Sequence, residues 1–435
     1  MDQAPRDHMT PEQTARLTVL DKRHLWHPFT PMREWCDPGH EPLILTGGDG
    51  ALLRDSAGRE YIDGNSSIWT NIHGHNHPAI NEAIRAQLDK VAHTSFLGFT
   101  NPPAIELAEE LVKIAAPGVL TRVFYSDDGS TAIEVALKMA LQYFQASGRP
   151  ERVRFVSFEN GYHGDTLGAA SLGGISLFQK RFQAHNFPAE HVGSVAELDA
   201  LASPETIVAV VIEPGIQGAA GMRPWPRGLL AGVRRWCDHN GVFLIADEVM
   251  TGFGRTGTMF AFQQEEAVPD FLALAKGLTG GFMPLAATLT TEAIFEGLRG
   301  ETFYYGHSYC GNQLGCAAAI ASLRIFRDEN VLAALQPKIA LFADCLERLR
   351  AIPHVREVRR CGFIAGIELG GADGAPLDPA LRTGARVCMV AREHGLLTRP
   401  ILDTVVLMPP LCVTAAQIGE ACEAVERAIS GVLMA

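Results

Sequence analysis

The sequence predicts an α/β protein, with a mostly parallel central sheet covered by helices on both faces and a smaller α+β domain attached. Three observations carry that expectation. Through the middle of the chain, short and almost continuously apolar strands alternate with helical segments, the pattern of a sheet buried on both faces. The last hundred residues switch to long helices around a short-strand region. The composition, 47% hydrophobic and 20% charged over 435 residues, is enough for a large core in two or three domains.

In chain order, the first twenty residues are polar and predict either a loosely ordered segment or an arm. Residues 41–63 (EPLILTGGDGALLRDSAGREYID) predict short strands joined by Gly turns at GGDG and SAG. From His77, HPAINEAIRAQLDKV and PPAIELAEELVKIAA place apolar residues three and four apart, which predicts helices. VFYS (123–126), RFVSF (154–158), IVAVVIEP (207–214), VFLIADEV (242–249), FLALAK (271–276) and LAATLTT (285–291) read as strands. Helices are expected at 131–144, around 228–239, across 312–350 and at 414–433, with short strands near 355–369. The domains then run as 1–76, an arm and strands that join the small domain; 77–330, the large domain; and 331–435, the C-terminal small domain.

The formal net charge is −12, which argues against duplex nucleic acid or an anionic membrane as partner. Nine cysteines without C-x-x-C spacing point to a reducing compartment. The N-terminus has charges where a signal peptide needs an apolar run. Uncharged apolar stretches such as Leu314 to Leu323 fall short of the ~18 residues of a membrane span. A cytoplasmic protein acting on small molecules is expected.

Several motifs invite chemistry. GFGRTG (252–257) matches a dinucleotide fingerprint, but it follows the acids Asp247 and Glu248 and no clear helix comes after it. That leaves a nicotinamide oxidoreductase as a weak alternative. His73, His75 and His77 fit a metal site in spacing, yet no acid or thiol lies beside them, so turn and capping roles are expected and no metal is assigned. Ser126 to Ser130 (SDDGS) leads into a long helix, which suits either a phosphate on the helix N-terminus or an ordinary N-cap. Asp247 ends an apolar strand, where a carboxylate needs a cation such as a protonated ring nitrogen. Lys276 ends another, where desolvation makes a competent amine nucleophile, although a snorkelling lysine would read the same way. Together, a phosphate-binding helix start, a strand-end Asp and a strand-end Lys point to pyridoxal 5′-phosphate.

The blocks NGYHGDT (160–166), IADEVMTGFGRTG (245–257), LALAKGLTGG (272–281) and YGHSYCGNQLGCA (305–317) resemble those of the class III, fold-type I aminotransferases. LWHPFTPM (25–32), GNSSIWTNIHGHNHP (64–78), FYSDDGSTAIEVALKMALQY (124–143) and LLTRPILDTVVLMPPL (396–411) resemble the branch that aminates 8-amino-7-oxononanoate in biotin synthesis. A general ω-amino acid:pyruvate aminotransferase is the alternative within the family. The resemblance runs from about residue 23 to the C-terminus. It implies a homodimer with its active site at the subunit interface and a cofactor bound in the large domain. It assigns Gly129 and Ser130 to the cofactor phosphate, Tyr162 to the ring face, Asp247 to the ring nitrogen and Lys276 to the covalent bond with the cofactor. Gly306, His307 and Ser308 are expected from the other subunit, with Ser308 reaching the phosphate. Arg399 is expected on the substrate carboxylate, with Trp69 and Phe29 in the substrate site. Phe29, Ile68 and Val406 stand where members using S-adenosylmethionine as donor carry Tyr, Trp and Tyr. That pattern, with a shorter chain between about 178 and 206, is similar to lysine-using members, so the amino donor is expected to be S-adenosylmethionine or lysine, lysine serving at least as well.

Overall fold

The computed structural model describes residues 8–434. Its strands, in chain order, are β1 (Leu45–Asp49), β2 (Leu52–Asp55), β3 (Glu60–Asp63), β4 (Leu120–Ser126), β5 (Arg154–Phe158), β6 (Ala189–Val192), β7 (Ile207–Ile212), β8 (Ile216–Gln217), β9 (Arg223–Pro224), β10 (Phe243–Asp247), β11 (Phe271–Leu274), β12 (Ala286–Thr291), β13 (Val355–Cys361), β14 (Ile364–Leu369), β15 (Leu396–Leu397), β16 (Pro400–Ile401) and β17 (Thr404–Leu407). Seven of them form the central sheet, in the order β4-β12-β11-β10-β7-β5-β6. Only β12 runs against its neighbours, pairing antiparallel with β11 and β4, while the remaining pairs are parallel. The run IVAVVI of β7 is buried at every position, as a central strand covered on both faces requires.

The helix Gly129–Ala146 buries Ala132, Ile133, Ala136, Leu137, Ala140 and Phe144 against one face of this sheet, in a cluster that includes Val211 of β7 and Ala273 of β11. Burying such a stripe is worth roughly 1.5–3 kcal/mol for each large side chain. A second sheet, β13-β14-β17-β16, is antiparallel throughout. The helices Val331–Arg350, Thr383–Glu393 and Ala415–Leu433 pack beside it. The N-terminal strands form a third sheet, β1-β2-β3-β15, closed by a parallel pairing in which Leu396 faces Ile62 and Leu397 faces Asp63.

Two expectations need correction. Of the first twenty residues, 1–7 lie outside the described part, but Pro11–His24 is a capped helix, where a loosely ordered segment or an arm was expected. Thr10 and Gln13 form a reciprocal capping box, Pro11 takes the first turn, and Lys22, Arg23 and His24 close the last. None of its residues is buried, so apolar periodicity carried no signal there. The strand expected at 271–276 stops at Leu274. Lys276 begins a 3₁₀ turn, Lys276–Thr279, with a left-handed φ of 44°.

The histidine trio disperses to separate partners. His73 is buried against Ser322 at 3.0 Å, His75 meets Asp63 at 2.9 Å, and His77 lies 3.6 Å from Glu329. The glycine-rich 252–257 segment folds inward. Arg255 within it is fully buried and donates to the carbonyls of Pro409 at 2.8 Å and Asn71 at 2.7 Å. Among the described residues, no helix is long and apolar enough to cross a membrane.

Candidate active site

The carboxyl ends of the parallel strands converge on one cavity of about 420 Å³. Such crevices are where ligands bind on open α/β sheets. Its lining includes Asp128, Gly129 and Ser130 beyond β4, Tyr162 and His163 beyond β5, and Glu213 beyond β7. Asp247 at the end of β10 and Lys276 beyond β11 complete it.

At one end the helix Gly129–Ala146 begins. Asp128 is its N-cap, accepting from Thr131 N at 2.9 Å, and Thr131 returns the bond in a capping box. The N–H groups of the first turn therefore face the cavity where the helix dipole is positive. Gly129 is required by packing, since a Cβ there would stand 2.6 Å from Val249. Opposite, Gly164 has φ +127°, and a Cβ on it would stand 2.2 Å from the Ser130 hydroxyl. Only glycine lets this loop close on the helix start. The hydroxyl of Ser126, at the end of β4, is buried without a hydrogen-bond partner.

At the other end, Asp247 accepts a hydrogen bond from His163 Nδ1 at 2.8 Å and from Val249 N at 3.2 Å. His163 is buried. Burial opposes its charge, but the hydrogen bond and charge of Asp247 outweigh that, and its pKa rises. Glu213 accepts from Tyr162 N at 3.1 Å and Gly218 N at 2.9 Å. Burial pushes its pKa up to about 7, with the neighbouring charge of Asp247 adding to the shift. Lys276 is buried, and desolvation lowers its pKa against the opposing pull of Asp247 and Glu213. Its Nζ lies 4.8 Å from the centroid of the Trp69 ring.

Trp69 reaches that position through an unusual backbone. Ser66, Ser67, Ile68 and Trp69 all have positive φ, from 46° to 69°, forming a left-handed turn without glycine. Each such residue costs about 1–2 kcal/mol relative to a right-handed turn.

The other expected site residues lie farther out. Phe29 is exposed. Its ring meets Phe178 at 5.7 Å, and Phe178 meets Tyr162 at 5.9 Å, so it touches the cavity wall only through an aromatic relay. Arg399 is exposed on the turn between β15 and β16, beside Arg392 and Cys388, and does not line the cavity. Nor do Gly306, His307 and Ser308, although His307 stands 2.9 Å from Asp127 at the cavity's edge. Sequence reasoning passed over Glu213, His163 and Phe178. Glu213 carried the signal that exposed Asp247, an acid closing an apolar strand. His163 carried none beyond its neighbour Tyr162, and Phe178 none at all.

These groups fit pyridoxal 5′-phosphate. The helix start, with Gly129 and Gly164 keeping its mouth open, offers backbone donors for a phosphate, Asp247 offers a buried carboxylate for a ring nitrogen, and Lys276 offers a desolvated amine for an aldehyde. The aminotransferase class-III family model matches residues 36–429. An adenosylmethionine-8-amino-7-oxononanoate aminotransferase from Nitratidesulfovibrio vulgaris is 48% identical, over 97% of this chain and 82% of its own. The enzyme of that name from Geobacter sulfurreducens is 44% identical, over 96% and 98%. The crystal structure of the same-named enzyme from Methanocaldococcus jannaschii superposes with a TM-score of 0.93 at 43% identity, covering 96% of this chain and 99% of the other. An (S)-enantioselective ω-transaminase from Thermomicrobium roseum gives 0.92 at 32%, covering 96% and 98%. The chain belongs to the class III aminotransferases, enzymes that work with pyridoxal 5′-phosphate.

Proposed function

We propose that this aminotransferase converts 8-amino-7-oxononanoate to 7,8-diaminononanoate in biotin biosynthesis. The observation that carries the reading is the 44–48% identity over nearly the whole chain to two relatives bearing that activity in their names. When bound, the cofactor supplies an aldehyde that bonds amines and a ring that draws off electrons. The chain's residues do the rest. Lys276, its pKa lowered by burial, presents an amine that gives up its proton more readily than an exposed lysine and moves the proton at the reacting carbon. Asp247, backed by His163, holds a proton on the ring nitrogen. Gly129 and Ser130 hold the phosphate on the helix dipole. Tyr162 lies on the ring face, its backbone N–H fixed by Glu213.

Arg399 receives the keto acid's carboxylate, as a planar guanidinium suits a bidentate partner. The strand pairing supports this placement. Leu397 pairs with Asp63, and Gly64 N donates to Leu397 O at 2.8 Å, which ties the Arg399 turn to the segment that presents Trp69. The working unit is a homodimer in which Gly306, His307 and Ser308 complete the partner's site. In support, these three do not line their own cavity, and Leu97, Phe99, Tyr304 and Tyr309 expose large apolar surface. The large domain at 77–330 carries the cofactor, flanked by the small domain from 331–435 and 1–76, and the enzyme works in the cytoplasm.

For the amino donor, the named relatives point to S-adenosylmethionine. Lysine is a second reading, favoured by Val406, which is buried behind the lining residues Met250 and Trp69 and brings no polar group to them. Incubating the purified holoenzyme with 8-amino-7-oxononanoate and each donor tests both points. Formation of the diamine is expected. Its absence, with ready transfer from ω-amino acids to pyruvate, would place the chain among the general ω-aminotransferases.

A further inference from the structure

The turn Ser66–Trp69 is strained, and its restraints are visible. Asp63 accepts from Ser67 N at 3.0 Å and from the Ser67 hydroxyl at 2.9 Å. The Ser66 hydroxyl donates to Met408 O at 2.6 Å, and Arg255 reaches the Trp69 carbonyl at 3.4 Å. Asp63 is itself buried and held by His75 Nε2 at 2.9 Å. A left-handed run of non-glycine residues persists only where its surroundings over-determine it, and such runs gather at functional sites. Here the product of the strain is one indole, lying over Lys276 and packed against the cluster of Met250, Val406 and Met408.

We propose that Asp63 is a positioning residue for substrate selection. Through Ser67 it locks the left-handed turn, so that Trp69 stands as a fixed wall beside Lys276. That wall sets how tightly the amine and keto acid are held before reaction. Asp63 does not line the cavity and touches neither the reacting amine nor the ring site, so it acts on the site as a positioning residue, through the turn that carries Trp69. The inference rests on reading the cavity as the aminotransferase site.

Two variants and two readouts test it. Asp63→Asn removes the charge that both Ser67 bonds share, and Ser67→Ala removes one bond while sparing the backbone. In the apoprotein, acrylamide quenching of Trp69 is isolated by subtracting a Trp69→Phe control. In the holoenzyme, kcat and KM are measured for donor and keto acid. Release of the indole is expected to raise its quenching constant about twofold in either variant, and KM about tenfold in Asp63→Asn and about threefold in Ser67→Ala, with kcat within about threefold of wild type. Unchanged quenching, or raised quenching with unchanged KM, overturns the proposal. If Asp63→Asn fails to fold, Ser67→Ala decides by the same criteria. If the keto acid proves not to be a substrate, the proposed function fails, while quenching and KM for any amine that turns over still judge the role of Asp63.

Discussion

Replacing Asp247 by asparagine keeps the side chain's shape and removes its charge where the ring nitrogen is held. The carboxylate is 5% exposed, so water offers little compensation. A charge-assisted hydrogen bond in such a place contributes about 1.5–3 kcal/mol, which corresponds to roughly a 10- to 150-fold loss of turnover when the charge goes. A second effect follows from His163. Burial drives its pKa down, and the bond and charge of Asp247, with a smaller pull from Glu213, outweigh that. In Asp247→Asn the larger of those pulls is gone, and the pKa of His163 is expected to fall. His163→Phe separates the two effects, because it keeps the carboxylate and removes the imidazole's supporting bond and charge, together worth about 1–2 kcal/mol, roughly a 5- to 30-fold loss. The assay is kcat with both substrates saturating, joined to an NMR titration of His163 in the apoprotein. Turnover of Asp247→Asn within about threefold of wild type would refute the assignment of the ring nitrogen to Asp247. A His163 pKa that does not fall in that variant would refute the electrostatic account of the pair.

Lys276→Ala is expected to fold, to bind the cofactor without a borohydride-reducible bond, and to lose at least about 10³-fold in turnover, measured by product formation and visible absorbance. Arg399→Ala is expected to lower kcat/KM for the keto acid by about 30- to 1000-fold, the equivalent of roughly 2–4 kcal/mol, while cofactor affinity measured by absorbance titration stays put. Glu213 titrates at about 7 in the folded chain against an ordinary 4.5, so the native state binds its proton more tightly than the unfolded state. Its contribution to stability is fully present below the unfolded value and is lost as pH rises through about 7, on the order of 3 kcal/mol at most. Urea unfolding of the apoprotein at pH 5 and pH 7.5 should show that loss in wild type and a flatter response in Glu213→Gln; equal slopes in the two proteins would remove Glu213 from the account.

Six strands of the central sheet were legible because each is short, largely apolar and bounded by turn residues, so local pattern and buried environment agree; the edge strand β6 (AEHV), half polar and only partly buried, carried no such pattern and was missed. The same logic exposed Asp247 and Lys276, since a charge closing an apolar run stands out against the residues before it. The N-terminal helix was not legible. None of its residues is fully buried, and only the Thr10–Gln13 capping box and the bases of its last turn announce it. Phe178 was invisible for another reason: it matters because it bridges Phe29 and Tyr162, and a bridge exists only after folding.

The left-handed turn marks where local reading ends. Ser-Ser-Ile-Trp has nothing to favour positive φ, and Ile68, branched at Cβ and with φ +65°, is a poor residue for it. Asp63 holds the conformation from four residues away, and the rest of its support comes from outside, from Met408, which lies 342 residues from Ser66, and from Arg255, buried in the glycine-rich segment that mimics a dinucleotide fingerprint. The three glycines of that segment therefore serve a different end. They let the chain turn tightly enough to carry a fully buried guanidinium, pushed down to a pKa of about 9 by desolvation, to the carbonyls that close the turn. Strand-end charges can be read from their neighbours because burial alone makes them costly. A strained turn cannot, because its cost is local while much of what offsets it comes from the far side of the fold.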